Sequence, residues 1–149
     1  MAIVKKFTSL EQSKVVTEIL PIESADMSWV SNGLGKPFAR TIPIKGDPEE
    51  LCACWSLTTL LHLIPNEISS GEYKIRIRKY SRGNTTLYQV AYGNNKGHSG
   101  TWHDMINTGE KENLIDCCVS MIMVLRQFYE SELNETISNY EQSERPCHR

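Results

Sequence analysis

The chain has 149 residues, enough for one hydrophobic core and marginal for two. Hydrophobic residues make up 40% of it and charged residues 23%, a balance that excludes a fibrous or intrinsically disordered class. The net charge of −2 argues against a dedicated duplex-DNA binder, because such proteins carry a strong positive field.

From the start, MAIVKKFTSLEQSK has charges at Lys5 and Lys6 and no apolar run beyond them, so neither a signal peptide nor a membrane-spanning helix is expected and the expected address is the cytoplasm. Without a leader, the five cysteines (Cys52, Cys54, Cys117, Cys118 and Cys147) are expected as reduced thiols. Thr8 followed three residues later by Glu11 has the spacing of a capping box and predicts a helix over about 9–20 that Pro21 ends. Extended segments at 26–30 and 38–44 flank the turn sequence SNGLGKP and predict a hairpin. Asp47-Pro48-Glu49-Glu50 is a helix-start signature and predicts a second helix of a turn or two. Ser56 then caps a helix in which Leu57, Leu60, Leu61 and Ile64 form one apolar stripe, closed by Pro65.

The clearest strand follows. Tyr73, Ile75 and Ile77 alternate with Lys74, Arg76 and Arg78, so one face is apolar and the other cationic. Arg82-Gly83-Asn84 reverses the chain into a second strand over 85–92, with Tyr88 and Val90 on one face and Leu87, Gln89 and Ala91 on the other. A third strand over 101–106 is reached through GNNKGHSG, a loop longer than a tight hairpin needs. The last helix opens at Asn113, with Asp116 as its reciprocal capping partner, and presents Leu114, Cys118, Met121, Ile122, Leu125, Phe128 and Tyr129 on one face. Residues 134–149 are almost wholly polar and are expected as a frayed or disordered tail after a single domain at 1–133. The expected fold is therefore α+β: a three-stranded antiparallel sheet with helices on one face, plus an N-terminal helix and β-hairpin, in two layers.

The stretches TSLEQSK, ESADMSWV and CWSLTTLLHLIP, the three-strand meander and NLIDCCVSMIMVL together resemble small uncharacterised proteins encoded by phages and prophages of gut bacteria, over residues 7–130. The resemblance implies a helix–sheet–helix sandwich core, a mobile-element setting and the cytoplasm of a bacterial host. It supplies no catalytic residues.

Charge is unevenly spread: residues 71–100 hold six Lys/Arg against the single acid Glu72, whereas residues 110–149 hold eight acids against four bases. Lys74, Arg76 and Arg78 share one strand face at a repeat of ~6.6 Å, close enough to address neighbouring phosphates or one multiply charged ligand. The plainer reading is that they solvate an exposed face and pair with Glu72 or Asp104. The glycines of residues 93–100 could converge backbone N–H groups on an anion, with Lys96 and His98 adding donors, or could simply connect two strands. Trp102 and Asp104 fall on one face of the third strand and His103 on the other, which weakens a His–Asp catalytic pair. Cys52 and Cys54 with His62, His98, His103, Cys147 or His148 do not have the spacing of a zinc site, and no metal or cofactor is expected.

These features point to a non-enzymatic accessory binding protein. Its ligand-binding residues are taken as Lys74, Arg76, Arg78, Lys96, His98, Trp102 and His103, holding an anionic nucleotide-type molecule to counter host defence. Two alternatives stay open: a protein-interaction module that binds a host protein or a second copy of itself, and a single-stranded nucleic-acid binder that stacks bases on aromatics such as Tyr80 beside Arg78.

Overall fold

The computed structural model describes residues 5–31, 35–41 and 50–143. Its first helix, α1 (Leu10–Thr17), starts one residue later than expected. Ser9 is the N-cap, accepting from the Gln12 N–H while the Gln12 side chain returns to the Ser9 N–H, so the capping box is Ser9/Gln12 rather than Thr8/Glu11. Thr8 is taken up elsewhere. It is fully buried, its N–H donates to the Trp55 carbonyl at 2.9 Å, and its hydroxyl accepts the Trp55 N–H at 3.1 Å.

The hairpin forms as expected from β1 (Met27–Val30) and β2 (Phe38–Thr41), but it belongs to a second sheet. Residues 47–49 of the expected short helix lie outside the described residues, and Glu50 opens a strand, β3 (Glu50–Cys54), antiparallel to β1. Pairing with β1 buries Ala53 and Cys54, a gain that a local helix-start signal does not register. The order of this sheet is β2-β1-β3. Trp29 on β1 donates its indole N–H to the Thr8 carbonyl and meets Phe7 edge-on, with ring centroids 5.8 Å apart.

Ser56 caps α2 (Leu57–Leu63) by accepting from the Thr59 N–H. A short strand, β4 (Glu67–Ile68), follows and adds to the meander of β5 (Tyr73–Arg82), β6 (Thr85–Asn94) and β7 (His103–Asn107), so the main sheet has four strands in chain order, all antiparallel. Its core face carries Ile68, Tyr73, Ile75, Tyr88, Val90 and Tyr92, covered by α3 (Leu114–Phe128). Tyr92 is fully buried and donates its hydroxyl to the carbonyl of Pro65, and burial pushes its phenol pKa up. Between β6 and β7 the register shifts at Gly93, where an added Cβ would fall inside contact distance of the His103 carbonyl oxygen, so only glycine fits the bulge.

Asn113 occupies the N-cap position of α3, but its carboxamide oxygen accepts from the Lys5 N–H instead of capping. Asp116 likewise turns to the N-terminal segment, accepting from Lys5 Nζ and Gln12 Nε2, each at 2.7 Å. The helix breaks at Tyr129, which leaves Phe128 65% exposed rather than on the buried face. Where a frayed tail was expected, a fourth helix, α4 (Glu130–Ser143), continues; residues 144–149 lie outside the described residues. Leu133, Ile137 and Tyr140, spaced four and three apart, put an apolar stripe on an otherwise polar helix and seat it on the core, with Leu133 and Ile137 buried. One hydrophobic cluster joins both sheets and all four helices.

Candidate functional site

The open face of the main sheet is built by alternation along β5. Lys74, Arg76, Arg78, Tyr80 and Arg82 point away from the helices, opposite Gly93, Ala91, Gln89, Leu87 and Thr85 of β6. Beyond β6, the glycine bulge brings Asp104 of β7 onto the same face. Arg78 meets Asp104 in a two-pronged pair, Nη2 to Oδ1 at 2.8 Å and Nη1 to Oδ2 at 2.9 Å, and Nη1 also donates to Gln89 Oε1 at 2.8 Å. The Trp102 indole N–H donates to Asp104 Oδ1 as well, and the Arg76 guanidinium lies over the Trp102 ring, 5.1 Å from its centroid. This Arg76–Trp102–Asp104–Arg78 cluster is the organised centre of the face. Ala91, directly opposite Arg76, is fully buried although it lies on this side of the sheet, so the long side chains roof their own backbone.

The electrostatics are mostly closed within the protein. Hydrogen bonding to Arg78 holds the Asp104 carboxyl below its usual pKa, and the same bonds raise that of the Arg78 guanidinium. Lys74 pairs with Glu67 of β4 at 3.1 Å and Arg82 with Glu110 at 2.9 Å, while a hydrogen bond to Glu110 raises the Tyr80 phenol. Of the cations on this face, Arg76 alone among the described residues has no acidic partner, and its partner is a ring.

The seven residues singled out from the sequence thus separate. Arg76, Arg78 and Trp102 come together. Lys74 is engaged at the β4 edge, and Lys96 and His98 are exposed in the loop between β6 and β7, where Gly97 N–H donates to the Thr101 carbonyl and Ser99 has a positive φ of 58°. His103 pairs with Asn94 across the strands and is exposed on the opposite side. Glu67, Gln89 and Glu110 complete the face and were not legible beforehand, because their roles depend on a strand register that the sequence does not spell. Among the described residues no group of three or more His, Cys, Asp and Glu side chains is arranged to hold a metal ion, and Cys147 and His148 lie outside them. No described helix is long and apolar enough to cross a membrane.

A second feature of the same strands is what covers them. On the core face the helices shield Tyr73 and Ile75, but Ile77 is 44% exposed and Lys79 and Ser81 are exposed, as are residues 82–86 around the turn. The β5 side of the hairpin beyond Ile75 and the hairpin tip therefore project past the helical cover, while Val90 and Tyr88, opposite Ile77 and Lys79, stay in the core. Compared with protein-family models, curated proteins and solved structures, the chain has no match in any of the three.

Proposed function

We propose that the chain is a non-enzymatic binding protein whose working surface is the projecting β5 side of the β5–β6 hairpin, and that its partner is another polypeptide. The observation that carries this reading is the loss of cover along β5 beyond Ile75: the strand leaves the core with Ile77 half exposed while its β6 neighbours Val90 and Tyr88 remain covered. A partner that lies along this strand would take the half-exposed Ile77 side chain out of water. The cationic face favours a polypeptide over a small anion. Lys74, Arg78 and Arg82 are already bound to carboxylates, and the surface is a sheet face rather than the concave site that encloses a small molecule. The non-enzymatic part is supported by Asp104, whose oxygens are committed to Arg78 and Trp102 while His103 faces away, so the neighbouring His and Asp do not form an acid–base pair.

A second reading has one observation in its favour. Arg76 on the Trp102 ring pairs an uncommitted guanidinium with an aromatic surface, the combination that would hold an anionic aromatic ligand of the nucleotide type. The phage or prophage setting, in which such sequestration would counter host defence, rests on the sequence resemblance alone.

Affinity capture from source-cell lysate, run in parallel with the wild type and Ile77→Glu, tests the first reading. A polypeptide retained by the wild type and lost by the folded variant is expected. Identical capture by both would overturn it, and so would a thermal shift with cyclic nucleotides or ADP-ribose derivatives that Arg76→Glu abolishes.

A further inference from the structure

The free edge of β5 follows from the direction of its backbone groups. β4 pairs only with Tyr73 and Lys74, and the next contact on that side is the Ile75 N–H donating to the Asn66 carbonyl at 2.9 Å. Before Asn66 the chain is Pro65, which has no N–H and whose carbonyl is engaged by Tyr92, so the ladder ends there. Backbone groups alternate along a strand. Since Ile75 turns its N–H to the β4 side, Ile77, Lys79 and Ser81 turn theirs the same way, whereas Arg76, Arg78, Tyr80 and Arg82 turn theirs to β6. Among the described residues nothing pairs with β5 on that outer side past Ile75.

An unpaired edge of this kind is a template for a further strand. We propose that residues 77–81 of β5 receive an extended segment of another polypeptide, in which acidic residues alternate with apolar ones.

A second copy of the chain does not fit. The strand reads YKIRIRKYSR, five cations and no acid, so pairing two β5 edges about Lys79 would set Lys79 against Lys79 and Arg76 against Arg82. The same charge selects the partner. Its side chains alternate across the added strand as those of β5 do. On the open side they lie next to Arg76, which lacks an acidic partner among the described residues and whose guanidinium would leave the Trp102 ring on the β7 side to meet an acid there. On the other side they lie beside half-exposed Ile77, where an apolar residue completes the packing, and beside exposed Lys79. Backbone hydrogen bonds supply affinity, and the two faces supply selectivity.

This inference rests on the polypeptide-partner reading and specifies the segment. The probe is a fluorescein-labelled peptide of about twelve residues alternating Glu and Val, long enough to span the edge, added to the full ¹⁵N-labelled chain. Binding is expected to slow amide exchange at Ile77, Lys79 and Ser81 by about tenfold or more, with smaller changes at Arg78 and Tyr80, whose N–H groups already face β6. Lys79→Pro removes one outward N–H without touching the β6 ladder and should weaken binding by roughly tenfold or more. If that variant does not fold by circular dichroism, the doubly substituted Arg76→Glu, Lys79→Glu chain leaves the backbone intact and should lose binding to a similar extent.

Absence of binding, unchanged exchange at the three outward amides, equal affinity for a Lys/Val peptide, or displacement of the peptide by single-stranded oligonucleotide would each overturn the edge proposal. Failure here with Ile77-dependent capture intact leaves the interaction-module reading standing. Capture indifferent to Ile77→Glu removes that reading whatever the peptide does.

Discussion

Asp104 determines how much of the open face is available to a partner. Its carboxylate accepts two bonds from Arg78 and one from Trp102, with the Arg78 and Asp104 side chains only 29% and 20% exposed, so the pair is shielded enough to stabilise the fold. The largest cause of its lowered pKa is the Arg78 hydrogen bond, which favours the ionised form in the folded state. The sign follows from linkage. With a folded pKa below the unfolded value of about 3.9, the stabilisation is present above roughly pH 4 and lost as pH falls through the folded pKa. Asp104→Asn should therefore cost about 1–2 kcal/mol at pH 7, at the lower end for charge-assisted bonds because the pair is not fully buried. In urea unfolding at pH 7 and below about pH 3, the gap between wild type and variant should narrow on the acid side. A gap of equal size at both would refute the assignment. The cationic alternation of Lys74, Arg76 and Arg78 was plain in the sequence, whereas the identity of the neutralising acids was not, apart from Asp104 as one pairing option. The Gly93 bulge decides that Asp104 faces Arg78, and a bulge leaves no periodic signal.

At the scale of elements, patterns that satisfy local rules were readable and patterns decided by a distant partner were not. The strand at Tyr73, the Ser56 cap and the face of α3 as far as Leu125 follow from alternation, capping and helical spacing in a few residues. Asp47-Pro48-Glu49-Glu50 obeys a local rule for a helix start, while the edge of β1 that makes Glu50–Cys54 a strand lies twenty or more residues away by sequence. The helix α4 was missed for a different reason. Composition averages over residues 134–149 and hides Ile137 and Tyr140, which with Leu133 have the spacing of a buried stripe. If α4 is held by that stripe, Ile137→Ala should cost about 2–4 kcal/mol and lower Tm by roughly 5–12 °C, while Glu135→Ala on its exposed side should stay within about 0.5 kcal/mol. Thermal melts of the two variants check this. A neutral Ile137→Ala would return the segment to the frayed tail that its composition suggests.

For the molecule as a whole, the joining of two sheets in one core means that groups from distant parts of the chain lose water together on folding. Cys54 of β3 and Cys117 and Cys118 of α3 are all buried, and desolvation raises their thiol pKa values, that of Cys118 to about 12. The unfolded chain releases such a proton near pH 8.5, and the folded chain keeps it. Stability contributed this way is complete below about pH 8.5 and declines as pH rises toward the folded pKa, because the unfolded state then binds fewer protons. A fully protected thiol gives a slope of about 1.4 kcal/mol per pH unit, and coupling to other groups reduces it. Lysines and tyrosines titrate in the same range, so the informative quantity is the difference between wild type and Cys118→Ala. The variant should be less stable at pH 7 for want of packing, and its deficit should shrink between pH 9 and pH 10.5, roughly, as the wild type alone loses the contribution of the Cys118 thiol. The same burial predicts that iodoacetamide at about pH 8 leaves Cys54, Cys117 and Cys118 unmodified in the folded chain and modifies all three in urea. Labelling of Cys118 at the rate of a free thiol, or a deficit that stays constant with pH, would mean that the shared core opens around α3 far more readily than its packing implies.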